Sequence, residues 1–134
     1  MRTLLGILIG TLFAAGVLYG IGYGIQHLHP LPAGFDPYST RAWADYVDAA
    51  PQEALWLLAC ACGLAALVGG WFAAAIARGH RGAAALAIAA PLTMAVIASA
   101  ALVPQPDWVP ILGMLLPIPL AVAAWRVVIP RREL

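Results

Sequence analysis

The strongest constraint on this sequence is a set of four long, almost entirely apolar stretches. They cover residues 4–25, 55–76, 83–103 and 109–129, and Arg126 is the single charged residue inside them. Each is close to the ~20 residues that an α-helix needs to cross the hydrocarbon core of a bilayer. Backbone groups in lipid must bond within the protein, so each stretch is predicted to be a membrane helix.

Composition supports a membrane environment. The 134-residue chain is 63% hydrophobic and only 10% charged, whereas soluble domains carry about a quarter charged residues. We therefore expect an all-α, integral membrane, four-helix antiparallel bundle that forms one transmembrane domain over residues 1–134. The first stretch is interpreted as a retained helix, because it is long and lacks a clear signal cleavage site. A net charge of +1 gives no general attraction to nucleic acid.

The arginines predict the orientation of the four helices. Basic residues concentrate in loops on the cytoplasmic side of a membrane. With four spans, one side carries six of the seven arginines and the other carries only Arg41; the six are Arg2, Arg78, Arg81, Arg126, Arg131 and Arg132. Five of the six acids lie on the side of Arg41. Both termini are therefore predicted to be cytoplasmic, in a multi-pass protein of the bacterial inner membrane.

The first loop, residues 26–54, is the one long connection and contains a predicted surface helix. Its first part is rich in proline and cannot form regular structure. In the following segment, STRAWADYVDAA, Ser39 or Thr40 can cap a helix. Trp43, Tyr46 and Val47 recur at helical spacing, so this short amphipathic helix is expected to dip its aromatic side chains into the extracytoplasmic membrane interface.

Glycines form the clearest pattern inside the apolar stretches. Five of them fall within an arc of roughly 120° on the first helix; they are Gly6, Gly10, Gly16, Gly20 and Gly24. Gly63 and Gly70 belong to a similar small face on the second helix. Flat faces of this kind allow close helix approach in lipid. We interpret the strip, a glycine-zipper pattern, as packing within the bundle, with a homodimer seam as the alternative.

The prolines and the missing charges bear on function. Pro91 interrupts the third helix, and Pro117 and Pro119 the fourth. Each is interpreted as a tolerated kink that neighbouring helices repair, with the broken helix of a transporter ion site as the alternative. No ionisable group lies deep in any stretch, which argues against proton pumps, voltage sensors and intramembrane enzymes.

The first hypothesis is a non-enzymatic membrane protein that packs against itself, lipid or a partner membrane protein. The second is a small transporter or channel for an uncharged or apolar solute. No catalytic residue, cofactor or bound metal is predicted.

Two groups of polar residues are candidate sites outside the apolar stretches. The first loop contains His27, His29, Asp36, Asp45 and Asp48. These could bind zinc or copper or sense pH, although the histidines also fit a simple membrane boundary. The tight basic turn contains Arg78, His80 and Arg81, which could contact anionic headgroups or act as an ordinary cytoplasmic anchor.

Three segments carry a resemblance to a known family. They are PLPAGFDPYS in the first loop, GLAALVGGWFAAAIARGHR in the second helix and its following turn, and VPQPDWV before the last helix. Together they resemble a family of small, uncharacterised bacterial inner-membrane proteins. The resemblance implies a four-helix membrane protein of unassigned activity and supplies no catalytic residues.

Overall fold

The structure, a computed structural model, describes residues 1–77 and 79–128. Every regular element in these ranges is helical: α1 Arg2–Leu28, α2 Thr40–Asp48, α3 Gln52–Ile76, α4 Arg81–Leu102, α5 Trp108–Leu115 and α6 Pro117–Val128. Four helical segments, namely α1, α3, α4 and α5–α6 together, are long and apolar enough to cross a membrane. The predicted all-α, four-helix membrane bundle is confirmed.

Local sequence signals explain most helix boundaries. The Ser39 hydroxyl caps α2 by accepting a hydrogen bond from the backbone N–H of Ala42 at 3.3 Å. Pro51 is the N-cap of α3. Helix α1 has 27 residues and continues three residues beyond the predicted boundary at 25. His27 therefore lies in the last turn of α1 rather than in the loop.

Helix α3 is the central element of the bundle. Half of its most apolar window is buried, compared with 17–22% for the other three spans. It runs antiparallel to α1, since Gly6 lies against Ala73 and Gly10 against Gly69. We call the end where α1 and α4 begin the basic end, and the end that carries α2 the loop end. The buried core is dominated by alanine, so the helix axes lie close together.

The prolines behave differently in the third and fourth spans. The fourth span is interrupted at Leu116 as predicted, and Pro117, which is fully buried, opens α6. Proline suits this first helical position because its missing N–H would have no partner there. Helix α4 continues through Pro91, which agrees with a tolerated proline and not with a broken helix. Pro91 is exposed, so its ring displaces no neighbouring helix and one missing hydrogen bond is tolerated.

The closest approach in the bundle joins α1 to α3. A Cβ atom added to Gly10 would lie 2.5 Å from the carbonyl oxygen of Gly69, and one added to Gly69 would lie 2.7 Å from the carbonyl oxygen of Gly10. Neither backbone has room for a methyl group. Gly69 was absent from the predicted packing set, whereas the predicted Gly70 makes only ordinary contacts of 3.5 Å and more.

Two further predicted glycines also lie at tight contacts. A Cβ atom on Gly6 would approach the carbonyl oxygen of Ala73 to 2.7 Å. A Cβ atom on Gly63 would approach the Cβ atom of Leu116 to 2.8 Å, beside the interruption of the fourth span. The absence of a side chain at Gly63 therefore lets α3 lie against the α5–α6 break.

The remaining glycines of the first helix do not pack inside the bundle. A Cβ atom on Gly16, Gly20 or Gly24 would meet no atom within 4 Å. The interpretation of the strip as an intramolecular seam is therefore wrong beyond Gly10. At about 100° per residue, Gly16 and Gly20 point away from the side of α1 on which Gly10 meets α3. Gly24 has the same helical angle as Gly6 but meets no atom, so the close contact between α1 and α3 does not extend to the loop end.

The Gly10→Ala substitution should destabilise the bundle. The new methyl group would clash with the carbonyl of Gly69 and force α1 from α3, and overpacking of this kind typically costs about 1–3 kcal/mol. The measurement is the free energy of unfolding in mixed micelles of increasing SDS content. Gly16→Ala is the matched control and should be neutral or slightly stabilising, because alanine favours helix over glycine. Equal losses of unfolding free energy in both variants would contradict the assigned contact between Gly10 and Gly69.

Candidate functional site

An apolar cavity lies at the loop end of the bundle, beneath α2. Its volume is about 320 Å³, within the range of ~300–1,000 Å³ that is typical of small-molecule sites. Four helices and the adjoining loops form its wall: Gly22, Ile25 and Gln26 from α1, Leu31, Trp43, Tyr46, Val47 and Ala50 in and around α2, Ala54, Leu55 and Leu58 from α3, and Ser99, Val103 and Gln105 in and after α4.

The cavity results from a change in packing along the bundle. At the basic end α1 and α3 touch through their backbones, and Ala85 and Ala89 of α4 are fully buried. Toward the loop end Met94 and Leu102 of the same helix are each 64% exposed. The backbone of α2 makes few close approaches to the membrane helices. The space therefore lies between the closely packed helices of the basic end and helix α2.

Helix α2 turns its apolar face toward this cavity. Trp43, Tyr46 and Val47 line the space, whereas Asp45 and Asp48 are exposed on the opposite face. The predicted amphipathic helix is confirmed. Its aromatic side chains were expected to dip into the membrane interface, but they face the ends of α1, α3 and α4 instead. The apolar periodicity is the same in both cases, so the sequence alone does not distinguish them.

Two reciprocal hydrogen bonds fasten α2 to the end of α1. The Nε2–H of His29 donates to the carbonyl of Tyr46 at 2.9 Å, and the Tyr46 hydroxyl donates to the carbonyl of His29 at 2.5 Å. The two rings lie 4.4 Å apart. We call this contact the His29–Tyr46 pair. A carbonyl oxygen only accepts, so Nε2 of His29 carries the hydrogen in this bond.

The hydroxyl of the pair also keeps its proton at physiological pH. Burial raises the pKa of Tyr46 above its ordinary value, which is about 10. The neutral donor form is therefore fully present below that ordinary value. Its contribution is lost only as pH rises through the higher pKa of the folded state, well into the alkaline range. The Tyr46 hydroxyl therefore serves as a donor to the His29 carbonyl throughout the neutral pH range.

Aromatic contacts order the segment between α1 and α2. Phe35 lies edge-on to Trp43, with ring centroids 4.9 Å apart, and also contacts Tyr46. The indole N–H of Trp43 donates to the carbonyl of Pro37 at 2.9 Å. These contacts fix the orientation of α2 over the cavity.

The polar groups of the cavity wall are few and uncharged. Its described residues include no Asp, Glu, Lys, Arg or His. The Tyr46 hydroxyl is used by His29, and the Ser99 hydroxyl donates to the carbonyl of Val96 at 3.1 Å. The side-chain amides of Gln26 and Gln105 make no hydrogen bond to any residue that the structure describes. Gln26 is exposed and Gln105 is half-buried.

The predicted loop site is not assembled. His29, Asp36 and Asp45 line a shallow depression on the outer side of α2, whereas His27 packs against Tyr23 on α1 and Asp48 is exposed at the end of α2. Within residues 1–77 and 79–128, no three His, Cys, Asp or Glu side chains are placed to hold a metal ion. The imidazole of His27 packs against Tyr23 and that of His29 against Tyr46, so the two histidines of the HxH motif have separate neighbours.

The predicted headgroup contacts are only partly described. Arg78 lies outside the described residues, and His80 is exposed at the N-cap of α4. Arg81 donates from its guanidinium to the carbonyl of Val128 at 3.4 Å. It therefore satisfies a carbonyl at the end of α6, which is a favourable place for a cation, and it joins the last span to the third.

Sequence periodicity singled out three residues of the cavity wall, Trp43, Tyr46 and Val47, as one face of α2. It did not identify the others, because Gly22, Gln26 and Gln105 belong to no motif. Comparison with protein families, with curated proteins and with solved structures finds no match to this chain. The cavity is therefore interpreted from its own geometry.

The Tyr46→Phe substitution should loosen α2 without unfolding the bundle. It removes the hydroxyl that bonds to His29, a net loss of about 1 kcal/mol, while the core at the basic end keeps its contacts. Backbone amides of residues 29–50 should exchange several-fold faster with deuterium, and those of α3 should be unchanged. Tyr38→Phe is the control, because Tyr38 is 95% exposed. Equal exchange in both variants would show that the pair does not hold α2.

Proposed function

We propose that this chain is a non-enzymatic membrane protein that binds an apolar or amphiphilic molecule in the cavity beneath α2. The observation that carries the proposal is the cavity itself, an apolar space of about 320 Å³ between membrane helices. Its wall consists mainly of aliphatic and aromatic side chains, with Gln26 and Gln105 among the few polar residues. Small-molecule sites have this character, mostly apolar with a few polar groups that orient the ligand.

The side chains of the wall favour binding over catalysis. General acid–base catalysis needs a titratable group within reach of the reacting atoms, and nucleophilic catalysis needs an activated nucleophile. The described residues of the wall offer the hydroxyls of Tyr46 and Ser99, and both are bonded to backbone carbonyls. The imidazole of His29 packs on the Tyr46 ring, but it is not among the residues of the wall, and its Nε2 donates to the backbone carbonyl of Tyr46.

The packing at the basic end favours binding over transport. A solute that crossed from the cavity between α1 and α3 would have to pass Gly10 and Gly69, where the backbones leave no room for a methyl group. A transport cycle would need to separate these helices. The transporter hypothesis therefore requires a conformational change, whereas ligand binding uses the space that is already present.

We place the cavity on the extracytoplasmic side of a bacterial inner membrane. The loop end carries Arg41 and five acids, while Arg2, Arg81 and Arg126 lie at the basic end. The positive-inside rule assigns the basic end to the cytoplasm. The ligand would then enter from the outer leaflet or the space beyond it.

Self-association is a second candidate function, favoured by the outward glycines of α1. Gly16 and Gly20 have open space around them and, with Leu12, form a flat face next to exposed Tyr19 and Tyr23. A second copy of α1 could approach this face closely, as small residues allow in lipid. The partner could equally be another membrane protein with a small-residue face.

The Gly22→Leu substitution should abolish ligand binding. An added Cβ atom at Gly22 meets no protein atom within 4 Å, so the leucine side chain can enter the cavity without clashing. Native mass spectrometry of protein released from nanodiscs should show a discrete ligand mass on the wild-type chain. Overpacking costs about 1–3 kcal/mol, so occupancy in the variant should fall about tenfold or more. A wild-type chain without any adduct, or an adduct unaffected by the substitution, would refute the proposal.

The Gly20→Leu substitution should affect self-association instead. It adds bulk to the outward face of α1, two residues before Gly22, and also meets no atom within 4 Å. If the face is a seam, the dimer seen by native mass spectrometry should become monomer in this variant and persist in Gly22→Leu. Each variant is thus the control for the other. A wild-type chain that is monomeric in nanodiscs of every lipid composition would contradict self-association through this face of α1.

A further inference from the structure

We infer that the cavity beneath α2 opens sideways into the bilayer between α1 and α4, and that its occupant is an acyl chain of an outer-leaflet phospholipid. The inference rests on the proposed function and names the ligand and its route of entry. It depends on three observations. The contact between α1 and α4 is open toward the loop end, the opening lies at the depth of the lipid tails, and α2 covers the cavity on the side away from the membrane.

Helices α1 and α4 lie side by side in the half of the bundle nearer the basic end. Ala14 of α1 and Ile88 of α4 meet at Gly69, where an added Cβ atom would lie 2.9 Å from the Cβ atom of Ala14 and 3.0 Å from Cγ2 of Ile88. Both residues are buried. One turn farther along α1, Leu18 still packs against the same core. The contact between these two spans is therefore closed up to this level.

The same sides of the two helices are open nearer the loop end. On α1, Gly22 follows Leu18 by one turn, is exposed, and has no atom within 4 Å of an added Cβ atom. On α4, Leu92 is buried, whereas Ala95 and Ser99, the next residues along that side, are exposed. Gly22 and Ser99 both line the cavity, so the gap between them is continuous with it. We call this gap the lateral mouth.

The lateral mouth lies where the lipid tails meet the headgroups. The antiparallel register of α1 and α3, with Gly10 against Gly69, places Gly22 about level with Trp56. The ring of Trp56 lies 4.9 Å from that of Trp108, and tryptophan concentrates at the membrane interface. The exposed side of α4 continues one turn deeper than the mouth. The mouth consequently faces the upper part of the acyl chains.

An acyl chain is the occupant that this position and this wall favour. The mouth lies between two membrane spans, so the molecules that face it are lipids. The wall behind it is mainly aliphatic and aromatic, and a tail is equally apolar, so the tail enters while its headgroup stays at the interface. An empty space would lack the dispersion contacts of a filled one, and water would find few hydrogen-bonding partners there.

Helix α2 covers the cavity on the side away from the membrane. Trp43, Tyr46 and Val47 form this part of the wall, and the His29–Tyr46 pair holds the helix in place. A solute from water would have to displace α2, whereas a lipid tail reaches the cavity with α2 in position. Val47 lines the cavity and is only 8% exposed, so contact with a lipid tail at this residue reports a tail inside the cavity.

The test is photolabelling of the full chain in phosphatidylcholine nanodiscs. The probe is a phosphatidylcholine with a diazirine midway along one acyl chain, and labelled residues are assigned by tandem mass spectrometry. Ile97 of α4 is 44% exposed and lies outside the cavity wall, so its label measures ordinary contact with lipid tails. We expect label on both residues in the wild-type chain. The ratio of label on Val47 to label on Ile97 is the entry ratio.

Two pairs of substitutions test the lateral mouth from its two sides. Gly22→Leu on α1 and Ser99→Leu on α4 each place a larger side chain in the mouth. Each should lower the entry ratio about tenfold or more, because overpacking opposes entry of the tail. The matched controls are Gly20→Leu and Ala98→Leu, which add the same side chain at exposed positions outside the cavity wall. Both controls should leave the entry ratio unchanged.

The outcomes separate this inference from the proposed function. Label on Ile97 without label on Val47, or an entry ratio that neither mouth variant changes, would overturn lateral entry of a lipid tail. If native mass spectrometry then still shows an adduct that Gly22→Leu removes, ligand binding stands and the ligand arrives by another route. If no such adduct appears, the proposed function falls with the inference. An entry ratio lowered by both mouth variants and by neither control supports both.

Discussion

The backbones of α1 and α3 meet at Gly10 and Gly69, and the shape of the whole bundle follows from that contact. Each glycine lies against the carbonyl oxygen of the other, so the two helices are as close there as their main chains permit. Lipid offers no hydrophobic drive for helix association, and close packing of small residues takes its place. The alanine-rich core at the same end continues this layer across α3, α4 and α6.

The opposite end of the bundle is built on a different principle. Near the loop end the small residues of α1 no longer face α3, and α4 exposes much of its surface. The space is closed by α2, which is held through the His29–Tyr46 pair and an aromatic cluster rather than by intimate backbone packing. The basic end is therefore closely packed, and the loop end leaves space for a ligand. A binding site in a small membrane protein needs both properties.

The physical origin of each feature decides how far it could be predicted from sequence. The four spans were predictable because the bilayer sets their length within each window of residues. The cap at Ser39 and the interruption at Pro117 were also predictable, since each depends on adjacent residues alone. The contact between Gly10 and Gly69 was not, because α3 offers glycine or alanine at many positions and only the tertiary register selects one. The cavity was missed for a similar reason. It depends on where α2 rests, and the periodicity of α2 fits a membrane surface equally well.

The connection between α2 and α3 has a mechanical consequence for the cavity. Only residues 49–51 separate the two helices, and a chain of three residues spans at most about 10 Å. The other connection, residues 29–39, is longer and irregular. If the His29–Tyr46 pair opens, α2 can swing about its short tether but cannot diffuse away. Opening and closing of α2 over the cavity are then unimolecular steps, with rates that do not depend on the protein's concentration.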